Sequence, residues 1–355
     1  MVTPKFQSQT TSFYSELRNR TNKYFKEKNI EPTGNLHLYS KAIILFSLFV
    51  GTYIHLVVFQ PSTIIILLEC ILMGLLTSFI GFNIMHDGSH GSFSKSKTIN
   101  TIAGMSMNIL GSNVFIWNTK HNVIHHTFTN IDDIDDDIDG KPFLRLSPVQ
   151  KHYKAHKYQH FYFLGAYSLL FMFWIFYTDY YKYFNKRIGN YPMPPLKLSD
   201  HISFWVFKII HTFLFVAFPI YQFGFVNWLI GFTLYGAVTG LVLAIVFQLA
   251  HTVEGANFPE AKMPENKMED EWVMHQMKTT ANFATNNKII SWFVGGLNFQ
   301  IEHHLFPKIS HVHYPAISKI VKETCKEFNV NYIEFPSMSG AIASHYRHLK
   351  HLGQA

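Results

Sequence analysis

The sequence predicts an all-α integral membrane protein: four transmembrane helices in two hairpins, with a cytoplasmic histidine-rich cap built to hold two metal ions. Three observations predict it. Apolar runs of membrane-crossing length stand in a chain poor in charge, the connections inside each pair of runs lack basic residues, and histidines gather in short clusters where runs end.

Of the 355 residues, 48% are hydrophobic, 16% aromatic and only 15% charged, against about a quarter charged in an ordinary soluble domain. Four runs, 42–59, 63–84, 203–221 and 226–250, are long and apolar enough to test as spans, since about 20 helical residues cross a hydrocarbon core of about 30 Å. A fifth, FYFLGAYSLLFMFWIFY at 161–177, is nearly as apolar. Basic residues near span ends mark the cytoplasmic side, and neither QPST nor QFGFVN, the two hairpin connections, contains one. If 161–177 does not cross, every basic segment is cytoplasmic except Lys208, which lies a turn or two inside a span and is expected to snorkel back. If it crosses, Lys182, Lys186, Arg187 and Lys197 move outside. The run is therefore read as an interfacial or re-entrant helix whose aromatics at 171–177 form a membrane-interface belt, with a substrate-lining role as the alternative.

Residues 1–40 read as a basic amphipathic cytoplasmic segment on the membrane surface without a cleavable signal, 41–335 as the membrane domain, and 336–355 as a cytoplasmic tail. The net charge of +7 fits a membrane surface, and no folded basic domain is visible that would bind nucleic acid. Cys70 and Cys325 give neither a disulfide framework nor a metal-site spacing.

The chain has 21 histidines. HDGSH places His86 and His90 four apart as the second run ends, a spacing that puts both on one helical face, although Gly88 and Gly91 weaken the helix. HNVIHH supplies His121, His125 and His126. FQIEHHLFP supplies Gln300, His303 and His304, and FQLAHTVE places His251 just past the fourth span. A single such pair means little: His152 and His156 have the same spacing among lysines and read as a solvated face, and His311 and His313 read as interfacial loop residues. Three dense clusters on one side of the membrane are hard to explain as packing. Eight imidazoles exceed one tetrahedral zinc and suit two ions with room for exogenous ligands. Ligand type leaves iron, zinc and copper open, but a metal pair beside apolar spans that admit an acyl chain suits oxygen chemistry on a lipid better than hydrolysis. The only carboxylates in the clusters, Asp87 and Glu302, are expected to orient imidazoles by accepting their other N–H.

In order and spacing, HDGSH, HNVIHH and QIEHH resemble the three histidine boxes of the membrane fatty acid desaturases. The resemblance runs over roughly 35–335 and includes WNTKHNVIHHTFTN and GGLNFQIEHHLFP. Glutamine opening the third box resembles the front-end branch, which inserts a double bond between an existing one and the carboxyl end. The resemblance implies two iron ions, with O2 as co-substrate, held by His86, His90, His121, His125, His126, His303 and His304, and by His251 outside the boxes. It implies a ligand, water-mediated or hydrogen-bonding role for Gln300 and an indirect one or a helix-start role for Asn298. It further implies a fatty acyl substrate, as acyl-CoA or acyl-lipid, and electrons delivered in trans by a ferredoxin or b-type cytochrome, because no His-Pro-Gly-Gly motif of a fused haem domain precedes the first span. That feature resembles bacterial members and implies a bacterial cytoplasmic membrane rather than the endoplasmic reticulum, with the boxes and both termini cytoplasmic.

The acidic run IDDIDDDID at 131–139 reads first as a solvated loop paired with lysines. The sharper reading has Asp133 or Asp135 holding second-box imidazoles. Two other activities compete: a lipid hydroxylase using the same di-iron site, and a metal-ion transporter, which should place its ligands near the bilayer midplane instead of at span ends.

Overall fold

The computed structural model describes residues 3–7 and 12–355. Among these, five helices are long and apolar enough to cross a membrane: α2 (Leu36–Phe59), α3 (Thr63–His90), α6 (Lys154–Asn185), α7 (Leu198–Phe223) and α8 (Phe225–His251). Between the third and sixth lie α4 (Lys97–Ile109) and the short α5 (Val114–Asn118), which continues through a π-helical turn, Thr119–His125. Before α2 runs α1 (Ser12–Lys28), and after α8 come α9 (Trp272–Thr279), α10 (Gln300–Leu305), α11 (Tyr314–Glu327) and α12 (Met338–Gln354).

Local chemistry sets the ends. Asn35 caps α2 by accepting from the backbone N–H groups of His37 and Leu38, and Ser96 caps α4. Gly91, at φ 72°, turns the chain out of α3 immediately after His90. α8 lies between α3 and α6, and the approach is close because two glycines present no side chain. A Cβ on Gly74 would lie 2.7 Å from the Tyr235 carbonyl oxygen, and one on Gly240 2.7 Å from that of Tyr167. Small residues at such crossings let membrane helices pack by direct backbone contact. Outward faces stay apolar and exposed, for example Ile43, Leu48, Leu164, Phe173, Ile209, Phe213 and Leu229, as lipid-facing surface requires.

α6 meets the fifth apolar run and extends beyond it at both ends. Its N-terminal end is tied to α12 through Gln159, which donates to the Leu349 carbonyl oxygen (2.8 Å). Its C-terminal end is tied to the acidic loop by the Lys182–Asp136 ion pair. The amphipathic N-terminal helix meets protein on its apolar side: Phe13 and Leu17 of α1 pack with Ile317 and Val321 of α11, and Arg20 bridges bidentately to Glu327 (2.8 and 2.6 Å). Lys208 does not snorkel. It is buried and donates to the Asp179 carboxylate and the carbonyl oxygens of Gly111 and Ile175 (3.0, 2.7 and 3.0 Å), because internal acceptors spare it the reach to water.

Candidate metal centre

Four segments bring the histidine clusters together at one end of the bundle: the last turn of α3, the π-helical turn after α5, the end of α8, and α10. The glycine in HDGSH that weakened the helix expectation has a packing role: a Cβ on Gly88 would strike Gly104 N at 2.6 Å, so only glycine lets α4 cross there. His86 and His90 consequently stay on one helix, their ring centroids 4.7 Å apart.

The imidazoles form two groups. In His86, His90, His121 and His303 one ring nitrogen from each lies within 4.8 Å of all the others, and the same holds within His125, His251 and His304. His126 belongs to neither group and sits between them, its ring 4.8 Å from His90 and 4.5 Å from His303 on one side and 4.4 Å from His304 on the other.

In His121, His125, His251, His303 and His304 hydrogen bonding divides the ring nitrogens into two roles, whereas both nitrogens of His126 are unpartnered. His125 Nδ1 donates to the Asp135 carboxylate (3.0 Å), His121 Nδ1 faces Asp137 (3.4 Å), His251 Nδ1 donates to the Thr279 carbonyl oxygen (3.2 Å), His304 Nδ1 to Gln276 Oε1 (2.8 Å), and His303 Nδ1 meets the Tyr314 hydroxyl (3.1 Å). Acceptors at Nδ1 fix the tautomer that leaves an Nε2 lone pair free. The Nε2 atoms of all eight histidines are buried without a hydrogen-bond partner. Leaving a buried polar atom unsatisfied costs about 1–3 kcal/mol, and seven such atoms in two compact groups, with His126 between them, make a donor set suited to cations. The residues present fit a pair of imidazole-ligated metal ions.

Electrostatics keep most of the set in the neutral, ligating form. Burial pushes His121 down to about 4 despite the opposing Asp137 bond; burial and neighbouring imidazoles push His126, His303 and His304 well below the ordinary histidine value. His125 goes the other way. Burial disfavours its cation, but the Asp135 and Asp137 carboxylates outweigh burial and raise it. Asp137 is itself held well below the carboxylate range: burial opposes this, and Lys120 and His125 prevail.

Several expectations need correction. Asp87 and Glu302 do not orient the clustered imidazoles. Asp87 accepts from Ser310 Oγ (2.6 Å) and faces His311 Nδ1 (3.0 Å), while Glu302 accepts from Asn282 Nδ2 (2.7 Å) and Tyr332 OH (2.9 Å); each points away from its neighbouring histidine along its helix. Asp135 and Asp137 take that role, so the acidic loop is more than solvated surface, whereas Asp133 pairs with Lys141 outside (2.8 Å). His156 is buried, bonded to the Pro142 carbonyl oxygen (2.8 Å), and His311 and His313 are buried too. Gln300 is buried with its amide nitrogen unpartnered, as the first residue of α10. Asn298 does not cap that helix: its amide donates to the Ala284 carbonyl oxygen (3.2 Å) and Ser291 Oγ (3.0 Å). Gln276, Thr279 and Tyr314 were missed, and no local pattern in EWVMHQMKT, which holds the first two, or in HVHYPAIS, which holds the third, announces them.

Two cavities flank the histidines. A small apolar cavity of about 40 Å³ is lined by Met85, His86, Met107, Ser112, Trp117, Trp174, Phe247 and neighbours. An open polar pocket of about 540 Å³ touches His90 on another side, with Lys95, Lys97, Lys308, Asn100 and Asn118 around it.

The fatty acid desaturase family profile matches residues 61–336, every one of the histidine clusters included. The chain belongs to the fatty acid desaturase family. Among its relatives are the sn-1 linoleoyl-lipid 6-desaturases of Arthrospira platensis, 38% identical across 95% of this chain and 92% of the relative, and of Synechocystis sp., 35% identical across 98% and 97%. The acyl-lipid (8-3)-desaturase of Physcomitrium patens is 34% identical over 98% of this chain and 72% of its own length. This desaturase is accordingly an oxidoreductase of lipid metabolism, with apolar helices of membrane-crossing length and histidine clusters able to hold metal.

Proposed function

We propose that this desaturase inserts a cis double bond on the carboxyl side of an existing one in a lipid-linked acyl chain, using two iron ions, O2 and electrons from a separate ferredoxin or cytochrome. The observation that carries the reading is the set of eight unpartnered Nε2 atoms on His86, His90, His121, His125, His126, His251, His303 and His304, with a small apolar cavity at His86 and a polar pocket at His90. A di-iron pair bound there supplies the oxidative chemistry with O2 that removes one hydrogen from each of two adjacent carbons.

The chain's own residues do the rest. Met85, Trp117 and Phe247 offer an apolar wall that excludes water beside His86. Front-end oxidation puts the reacting carbons only a few bonds from the ester, so the head group must lie against the metal ligands. The pocket at His90 meets that need. Its lysines suit a phosphate-bearing head group. Asp135, Asp137, Gln276 and Tyr314 hold the imidazoles in register, and Gln300 is assigned a hydrogen-bonding role at the edge of the set.

Four spans, α2, α3, α7 and α8, form two hairpins in this reading, with the cap, the segments 1–40 and 336–355 and both termini cytoplasmic in a bacterial membrane. The tethering of both ends of α6 to the cap supports counting it as re-entrant within the 41–335 domain. The test is to feed linoleate to cells expressing the chain and locate double bonds by mass spectrometry, beside His303→Ala. A new, carboxyl-proximal double bond that vanishes in the variant is expected. A hydroxylated acid in its place would overturn the desaturation reading.

A further inference from the structure

Membrane-spanning helices seldom keep a charge pair in their apolar interior without a task for it, and this chain keeps one that the metal chemistry does not use. Asp179 near the end of α6 is fully buried and Lys208 within α7 nearly so, with Lys208 Nζ 3.0 Å from Asp179 Oδ2. The carboxylate has two further partners. Trp174 Nε1 donates to Oδ1 (3.0 Å) and Ser112 Oγ donates to Oδ2 (3.0 Å). Both of these donors line the small apolar cavity beside His86. One carboxylate, its charge balanced by one lysine, therefore fixes two wall residues from two different segments.

The indole is the larger of the two. Without that bond its ring would be held only by packing against Met85, Met107 and Trp117; with it, the orientation of the indole is fixed at its polar end as well. Lys208 also fixes its own position by donating to the carbonyl oxygens of Gly111 and Ile175, the residues next to Ser112 and Trp174 in sequence. The clamp thus grips the wall through backbone and side chain together.

We propose that Asp179 and Lys208 are positioning residues that hold Trp174 and Ser112 as a fixed wall of the acyl channel, and that this wall sets how far a chain enters and so which chain lengths and carbons are oxidised. The proposal rests on the desaturase reading above and takes the small apolar cavity beside His86 as part of the path, the acyl channel, by which a chain reaches the metal ligands. A fixed wall discriminates by shape, and in a hydrophobic pocket one methylene is worth about 10- to 200-fold.

Three variants test it: Trp174→Ala, Trp174→Phe, and the double variant Asp179→Leu with Lys208→Met, which removes the pair without stranding either charge. Each is expressed as the full chain in cells fed dienoic acids of graded length, and product lengths and double-bond positions are read as ratios, which a loss of folded protein does not alter. In parallel, binding of the same acids to the purified protein is measured by native mass spectrometry, which needs neither electron donor nor turnover. Trp174→Ala is expected to shift the length preference at least about tenfold toward longer chains, with the double variant shifting it in the same direction and Trp174→Phe less. Unchanged ratios and unchanged binding preference in Trp174→Ala overturn the wall, and a shift in Trp174→Ala with none in the double variant overturns the clamp. If the wild type makes no new double bond yet binds acids by length, the assigned reaction fails while this inference is still judged on binding.

Discussion

Replacing Asp135 by asparagine asks whether a carboxylate behind the metal ligands governs the site. Asp135 is buried, sits 3.0 and 3.1 Å from His125 Nδ1 through its two oxygens, and also accepts from the backbone N–H groups of Asn130 (2.8 Å) and Asp137 (3.0 Å). Asparagine keeps the shape and one acceptor but loses the charge, and its NH2 must face one of these three donors. Losing such an outer partner costs about 10- to 100-fold in metal affinity or activity, equivalent to about 1.4–2.7 kcal/mol. The assay is metal content by elemental mass spectrometry on purified protein after equilibration against a graded chelator, with product formation alongside. Asp133→Asn is the matched control. Asp133 lies two residues away in the same acidic run, is largely exposed, and has φ 60°, which asparagine accommodates, so losing its surface pair with Lys141 should change little. Equal metal retention and product yield in the two variants would refute the reasoning.

Other consequences are open to direct measurement. Lys97→Ala combined with Lys308→Ala should raise KM for an anionic acyl-lipid by about tenfold with kcat held within about twofold, as loss of uniform head-group binding requires; a fall in kcat alone would contradict the pocket assignment. His251→Gln should lower bound metal from about two ions per chain toward one, because His251 belongs to the three-histidine group and to no other. Stability should fall on acidification. Burial pushes His345 down to about 4 from 6.5, so between these values the unfolded chain binds the extra proton. The contribution is complete above about pH 6.5 and is lost as pH falls toward 4, worth at most about 3 kcal/mol. Thermal unfolding in detergent at pH 7.5 and 5 checks it, with His345→Gln flattening the difference.

The spans and the three histidine clusters were legible because hydropathy and short spacing are local properties. What the sequence could not sort is which member of a repetitive pattern faces inward. Asp133 and Asp135 are the same residue type two positions apart, yet the left-handed turn at Asn130 and the helical turn Asp136–Ile138 send one outward and the other to His125. His156 carries the same i, i+4 spacing as the site histidines and lies among lysines, but Gly353 of α12 closes over its carbonyl group and Pro142 takes its Nε2. Gln276 and Tyr314 reach the imidazoles from segments with no histidine box of their own. For His156 and His304 a deciding partner, Gly353 or Gln276, lies well beyond any local window, whereas Asp135 and Tyr314 are near in sequence to the rings they meet and only the turns between decide that they face them.

The same distinction explains how the cap is built. The Nδ1 atoms of His121, His125, His251, His303 and His304 have protein partners and their Nε2 atoms do not, so the fold holds these imidazoles through one nitrogen and reserves the other. Eight unsatisfied atoms at about 1–3 kcal/mol each form a penalty that the helices below must carry whenever metal is absent. Packing of α8 against α3 and α6, made close by Gly74 and Gly240, lies in the membrane part of the chain and does not depend on the cap. Metal removal should therefore loosen the histidine-bearing turns first and leave the bundle standing, since only the turns have their stability linked to bound ions. A site held from beneath in this way accepts its metals into a nearly finished geometry, and the outer carboxylates, amide and hydroxyl determine the final orientation of each ring.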